Sequence, residues 1–140
     1  MKKILLLAFV SIVFAGCNKD VILPAGQQPA EITTYTNTHF PDNPIIQAIK
    51  DKDGFELTYD ITLRGGVFLE FNRKKEVTDI QGTAELPASV VPSKLLDFVT
   101  TNYAPNYIVG WETDDRNQQI KLDNRIQLEF NMNGDFLRID

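Results

Sequence analysis

Leu69-Glu70-Phe71-Asn72 returns as Leu128-Glu129-Phe130-Asn131. Each copy leads into a polar turn and then a short strand-like run, Val77 to Ile80 in the first and Phe136 to Ile139 in the second. In both, Leu and Phe alternate with Glu, the period of a strand with one apolar face, and Asn opens the turn. One structural unit is therefore used twice. A second match fixes its other end: Leu23-Pro24-Ala25 recurs as Leu86-Pro87-Ala88. The same 63-residue offset pairs Ile32 with Leu95, Tyr35 with Phe98, Phe40 with Tyr103 and Ile45 with Ile108. The Leu-Glu-Phe-Asn motifs are 59 residues apart, so the first copy carries four extra residues, placed around Arg64-Gly65-Gly66.

Between those landmarks the periodicity changes from helical to alternating. Leu95, Leu96, Phe98, Val99, Asn102 and Tyr103 make the stripe of an amphipathic helix, with Pro92 in its first turn and Ser93 as an alternative cap. The matching helix of the first copy has Ile32, Tyr35 and Phe40 but is rich in Thr, a poor helix former. Four strands follow each helix. In the first copy they are Pro44 to Lys50, Phe55 to Leu63, Val67 to Phe71 and Val77 to Ile80. Asp51-Lys52-Asp53-Gly54 reads as the first hairpin turn, and Phe55, Leu57, Tyr59, Ile61 and Leu63 read as one apolar face. The expected fold is α+β: a tandem duplication of a helix plus a four-stranded antiparallel meander, with the helices packed on one face of the sheet.

The first residues read as an export signal. Lys2-Lys3 precede an apolar run from Ile4 to Phe14, too short to cross a bilayer as a helix. The run ends in Phe14-Ala15-Gly16-Cys17, which resembles the lipobox of bacterial lipoproteins. That resemblance implies cleavage before Cys17, acylation of its thiol and anchoring through the acyl chains. Cys17 is the only cysteine, so no intramolecular disulfide competes for it. The expected organisation is a signal peptide over 1–16, a lipidated Cys and tether over 17–28, and repeats over 29–82 and 83–140.

Composition narrows the function. The 140-residue chain has a net charge of −5, and its one basic run, Arg73-Lys74-Lys75, sits at a turn. Nucleic-acid binding needs clustered cations that are not there. His39 is the only histidine and falls at the end of the first helix, where it and its counterpart Asn102 suit a helix C-terminus. Glu70 and Glu129 form a candidate carboxylate pair, but duplication already accounts for the match. Asp51 and Asp53 start like a calcium loop, yet position twelve is Thr62 rather than Glu. They and Asp114-Asp115 are weak metal candidates, and no cofactor is called for.

Candidate partner-binding residues lie where the copies disagree. Phe68 stands against Gln127, Trp111 against Ala48, and Tyr107 against Pro44, while Gly65-Gly66 belongs to the four-residue extension. Large aromatics on strands suit a contact surface. For Trp111 the alternative is to fill the seam between the halves.

The leader, the helix entry from Leu86-Pro87 through Phe98 and the Leu128 to Gly134 motif together resemble the PepSY-like proteins of Bacteroidetes. The resemblance covers roughly Leu23 to Asp140. It implies a fold of the β-lactamase-inhibitor-protein type and, by analogy of name, inhibitory or regulatory binding of exported enzymes. The first copy departs from the pattern at Gln27-Gln28 and at Lys75, which replaces the turn glycine. The expected function is a non-enzymatic, lipid-anchored envelope module, periplasmic or on the outer-membrane surface, that binds an unknown exported protein. The alternative is an envelope structural protein, or one that binds a small ligand such as calcium.

Overall fold

The computed structural model describes residues 19–140. Cys17 and the signal peptide lie outside the described residues. Nine strands form one antiparallel sheet in sequential order: β1 Val21–Ile22, β2 Ile45–Asp53, β3 Glu56–Leu63, β4 Val67–Phe71, β5 Val77–Gln81, β6 Ile108–Thr113, β7 Asn117–Leu122, β8 Gln127–Asn131 and β9 Phe136–Ile139. Helix α1 (Ala30–His39) joins β1 to β2, and a 3-10 turn (Ala88–Val90) followed by α2 (Ser93–Asn102) joins β5 to β6.

This corrects the expected α+β duplication of helix-plus-four-strand modules with helices on one face. The described residues are mostly β, with two α-helices and a single continuous nine-stranded sheet. Two pairings make the difference. β5 pairs with β6 across the repeat boundary, Ile80 opposite Trp111 and Asp79 opposite Glu112, so the halves share one sheet. Val21–Ile22, within the stretch read as a tether, pairs with β2 and adds a ninth strand. Neither pairing follows from strand periodicity, which reports which face a residue takes but not which strand lies beside it.

The first hairpin also moves. Asp51 and Asp53 are strand residues of β2, opposite Thr58 and Glu56, and the turn is Gly54-Phe55. Gly54 takes φ +59°, while Phe55 is not in the left-handed region, the pattern of a two-residue turn with glycine first. Phe55 is consequently 98% exposed, not the first residue of the apolar face.

One face of the sheet carries the core. Ile61, Leu69, Ile80, Trp111, Ile120 and Leu128 stand directly opposite one another in turn, a row running across β3 to β8. Phe71 and Phe130 are fully buried beside it, each meeting a helical aromatic edge-on: Tyr35 of α1 at 5.4 Å and Phe98 of α2 at 5.3 Å between ring centres. Burial pushes the Tyr35 phenol up to about 12.

The two helices are held differently. Both begin after a proline, Pro29 and Pro92, with no side-chain cap, so Ser93 is the first helical residue rather than the cap. In α1 the threonines bond back into the helix: Thr36 Oγ1 to Thr33 O at 3.1 Å and Thr38 Oγ1 to Thr34 O at 2.8 Å. That lets Thr36 be buried with its hydroxyl satisfied, next to fully buried Ile32. Packing, not propensity, keeps this helix.

Candidate functional site on the open sheet face

Alternation sends every second side chain to the other face of the sheet, and there the strands line up their acids. Asp60 of β3 is opposite Glu70 of β4, Glu70 opposite Asp79 of β5, and Asp79 opposite Glu112 of β6. The row continues through Gln119 of β7 to Glu129 of β8 and Arg138 of β9. Four carboxylates on four adjacent strands thus follow each other without an intervening cation. Strands lie about 4.8 Å apart, a spacing at which like charges directly opposite oppose folding.

Three of the four carboxyls are pushed up, in each case chiefly by burial. Burial raises the carboxyl of Asp60, with Glu70 adding to the rise. Burial also raises Asp79, partly offset by a hydrogen bond from Gln81 Nε2 at 2.9 Å. Glu112 is raised by burial first and by Asp79 second. Asp60 Oδ1 is buried and lacks a hydrogen-bond partner among the described residues. Thr78, the extra residue of a bulge in β5, donates to Glu70 Oε1 at 3.1 Å.

The far end of the row is neutralised. Glu129 is nearly buried and accepts from Asn117 Nδ2 at 2.6 Å. Its Oε2 lies 2.6 Å from Arg138 Nη2, an ion pair whose angle falls outside hydrogen-bond geometry. Around these residues the face hollows into a groove of about 380 Å³ lined by Glu70, Asp79, Glu112, Asp114, Asn117 and Glu129 among others. It is polar, open and acidic, which suits a cationic contact and not an apolar ligand.

The residues singled out from sequence fall in different places. Phe68 is on this same face, half-buried between Thr62 and Gln81 and two residues from Glu70. Trp111 is on the core face, 9% exposed, donating from Nε1 to Gln118 Oε1 at 3.2 Å. It fills the seam between the halves and is not a surface anchor. Tyr107 is 38% exposed just before β6, its amide held by Asp123 Oδ1 at 3.1 Å. Gly65 and Gly66 take φ +90° and +80° in the turn before β4. A Cβ on Gly65 would lie 2.7 Å from Asn43 Nδ2, and one on Gly66 2.9 Å from Thr83 Oγ1. Their extension is thus folded against neighbouring loops.

His39 Nδ1 sits 2.9 Å from Ser89 Oγ, tying α1 to the turn before α2. Glu70 and Glu129 are separated by β5, β6 and β7, roughly 19 Å by strand spacing, too far for paired acid–base work. Asp51 stands beside Asp20, whose carboxyl raises its own through a shared hydrogen bond. Among the described residues no group of three or more His, Cys, Asp or Glu is arranged to hold a metal ion. Asp60, Asp79 and Glu112 escaped the sequence reading, because each is an unremarkable outward residue until the register places it beside the next.

The model of a family described as β-lactamase-inhibitor-like, PepSY-like matches residues 16–79 and again 57–138. The chain belongs to the PepSY-like family. A solved protein of Bacteroides vulgatus, described as periplasmic, is similar at 31% identity, with 89% of this chain and 99% of that one covered and a TM-score of 0.82. A second from the same organism, described as periplasmic and of unknown function, is 25% identical over 87% of this chain and 99% of its own, TM-score 0.81. A protein of Bacteroides thetaiotaomicron whose description calls it periplasmic and calcium-regulated shares the fold at 24% identity, covering 86% of this chain and 96% of its own, TM-score 0.82. A search of curated proteins gave no match. The two Bacteroides vulgatus proteins are described as periplasmic, which supports an envelope location for this chain.

Proposed function

We propose that this PepSY-like chain is a non-enzymatic envelope module that binds an exported protein through the open face of its sheet. The row Asp60-Glu70-Asp79-Glu112 carries the reading. Uncompensated carboxylates that oppose folding find their use when a basic partner surface covers them. Phe68 beside the row supplies the apolar contact that such an interface places near its centre. The inhibitor-like description of the family agrees with binding rather than catalysis. Cys17 anchors the module through acyl chains, with the folded part facing the periplasm or the cell exterior.

Capture from envelope extract tests this. The wild-type chain is expected to retain a specific protein that Phe68→Ala and Glu70→Gln/Glu112→Gln both lose, with retention falling as salt rises. Equal retention by wild type and both variants would sink the reading. For the anchor, Cys17→Ser is expected to move the chain from the membrane fraction to the soluble one. Persistent membrane association would exclude acyl anchoring. Calcium enters as an arm of the same test, since one fold relative is described as regulated by it. Capture that is indifferent to chelator and to Asp51→Asn/Asp53→Asn leaves calcium without a part.

A further inference from the structure

The chain already makes one strand interface with itself, and β9 and the outer side of β2 are the halves of a second. At the seam, β5 pairs with β6: Ile80 is opposite Trp111, Gln81 opposite Gly110, and the Gly82 amide donates to Val109 O at 2.7 Å. By the offsets relating the two copies, Ile80 corresponds to Ile139 and Trp111 to Ala48. So β9 is the counterpart of β5, and β2 of β6. β5 has its β6. β9 is last in the sheet, all four of its residues are exposed, and Ile139 is 57% exposed.

The outer edge of β2 is not open in the same way. β1 lies on it, Val21 opposite Lys50 and Ile22 opposite Ile49, and the Leu23 amide donates to Ala48 O at 2.8 Å. Val21 and Ile22 are 50% and 68% exposed, so β1 buries little. Its main effect is to consume the backbone groups of the β2 edge, which would otherwise template another strand.

We infer that β1 is an edge cap occupying the slot into which β9 of a second copy fits. In that pairing Ile139 of one copy stands opposite Ala48 of the next, as Ile80 stands opposite Trp111. The apolar row ending Leu128–Ile139 then runs on into Ala48–Ile61, covering an isoleucine that the single chain leaves out. The acceptor Ile139 needs is Ala48 O, the atom Leu23 now holds. Because the contact joins unlike surfaces, it does not close after two copies but propagates. Capping one edge with two residues prevents that at little cost.

The test uses the full chain in detergent, with mass read by size-exclusion chromatography and light scattering. Val21→Pro/Leu23→Pro removes the donors that face β2. The wild type is expected to stay monomeric, and the variant to grow beyond a dimer as concentration rises. Adding Ile139→Pro is expected to restore the monomer. The Asp140 amide points inward to Gln127 O at 3.0 Å, so by alternation the Ile139 amide points off the edge, where proline is tolerated. Mixing that triple variant into the double variant is expected to cap chains and lower their mean mass. A folded double variant that stays monomeric overturns the proposal, as does growth that Ile139→Pro leaves unchanged or a wild type that already polymerises. If the double variant does not fold, Leu23→Pro alone replaces it and is read in the same way. Failure of both to fold also overturns it, since β1 would then be part of what holds the domain together.

Discussion

Asp79 and Glu112 face each other across β5 and β6, the only strand pair among the described residues that joins one repeat to the other. The halves therefore meet through a pair of like charges on the open face and through Ile80 against Trp111 on the core face. The apolar contact stabilises the junction, and the acidic one costs stability.

Neutralising one acid of the pair should stabilise the fold. Glu112→Gln is expected to raise the unfolding free energy by about 0.2–1 kcal/mol at pH 7, the range for a cross-strand pair. The sign follows from the raised carboxyls of Asp60, Asp79 and Glu112. A raised group binds protons more tightly when folded, so its cost is absent below the unfolded value near 4 and grows as pH rises through the folded one. The gain from Glu112→Gln should accordingly shrink toward pH 3. Asp114 and Asp135 are lowered by hydrogen bonds, to backbone amides and to Lys94 respectively, and act in the opposite sense. Comparing variant with wild type cancels their contribution. Denaturant midpoints across pH 3–7 would show it, and a gain independent of pH would contradict the crowding argument.

Lys75 and Gly134 hold the same place in the two equivalent turns, at φ +63° and +79°. Only glycine occupies that region without steric cost. Lys75→Gly is expected to stabilise by roughly 0.5–1 kcal/mol, measured by urea unfolding. Gly134→Ala should destabilise by more than about 1 kcal/mol, because the strain adds to a Cβ placed 2.9 Å from Lys94 Cδ and 3.2 Å from Leu95 Cδ1.

The asparagines opening those turns act alike. Asn72 Oδ1 accepts from the amides of Lys74 and Glu76, and Asn131 Oδ1 from those of Asn133 and Asp135, all at 2.9–3.1 Å. Asn72→Ala and Asn131→Ala should each cost about 1–2 kcal/mol, since each strips two turn amides of their acceptor. The turns lie in different repeats, so the double variant should lose nearly the sum in the same assay.

Trp111→Ala should cost about 3–5 kcal/mol, as for other large buried aromatics. Trp111→Phe should cost less but leave buried Gln118 Oε1 without its donor, a penalty of about 1–3 kcal/mol. If Trp111→Phe is folded, partner capture should be unchanged, because the side chain is on the core face. Loss of capture with native stability would place Trp111 in the interface instead.

The sequence by itself determined the local units. Leu-Glu-Phe-Asn specifies a strand with an inward Leu and Phe, an outward Glu and an Asn that organises the following turn. These are short-range preferences of pleat and hydrogen bond, so both copies announced them. The Thr-rich α1 and the stripe of α2 were legible for the same reason. Periodicity also sent Phe68, Glu70 and Glu129 outward. What only the tertiary structure decided was adjacency. The β5–β6 pairing made one sheet, buried Trp111 and set Asp79 beside Glu112, and the β1–β2 pairing drew part of a supposed tether onto an edge. Pairing partners are chosen by contacts distant in the chain, and a strand's alternation is the same whichever neighbour it takes. The acidic row could therefore be seen only once the strands stood side by side.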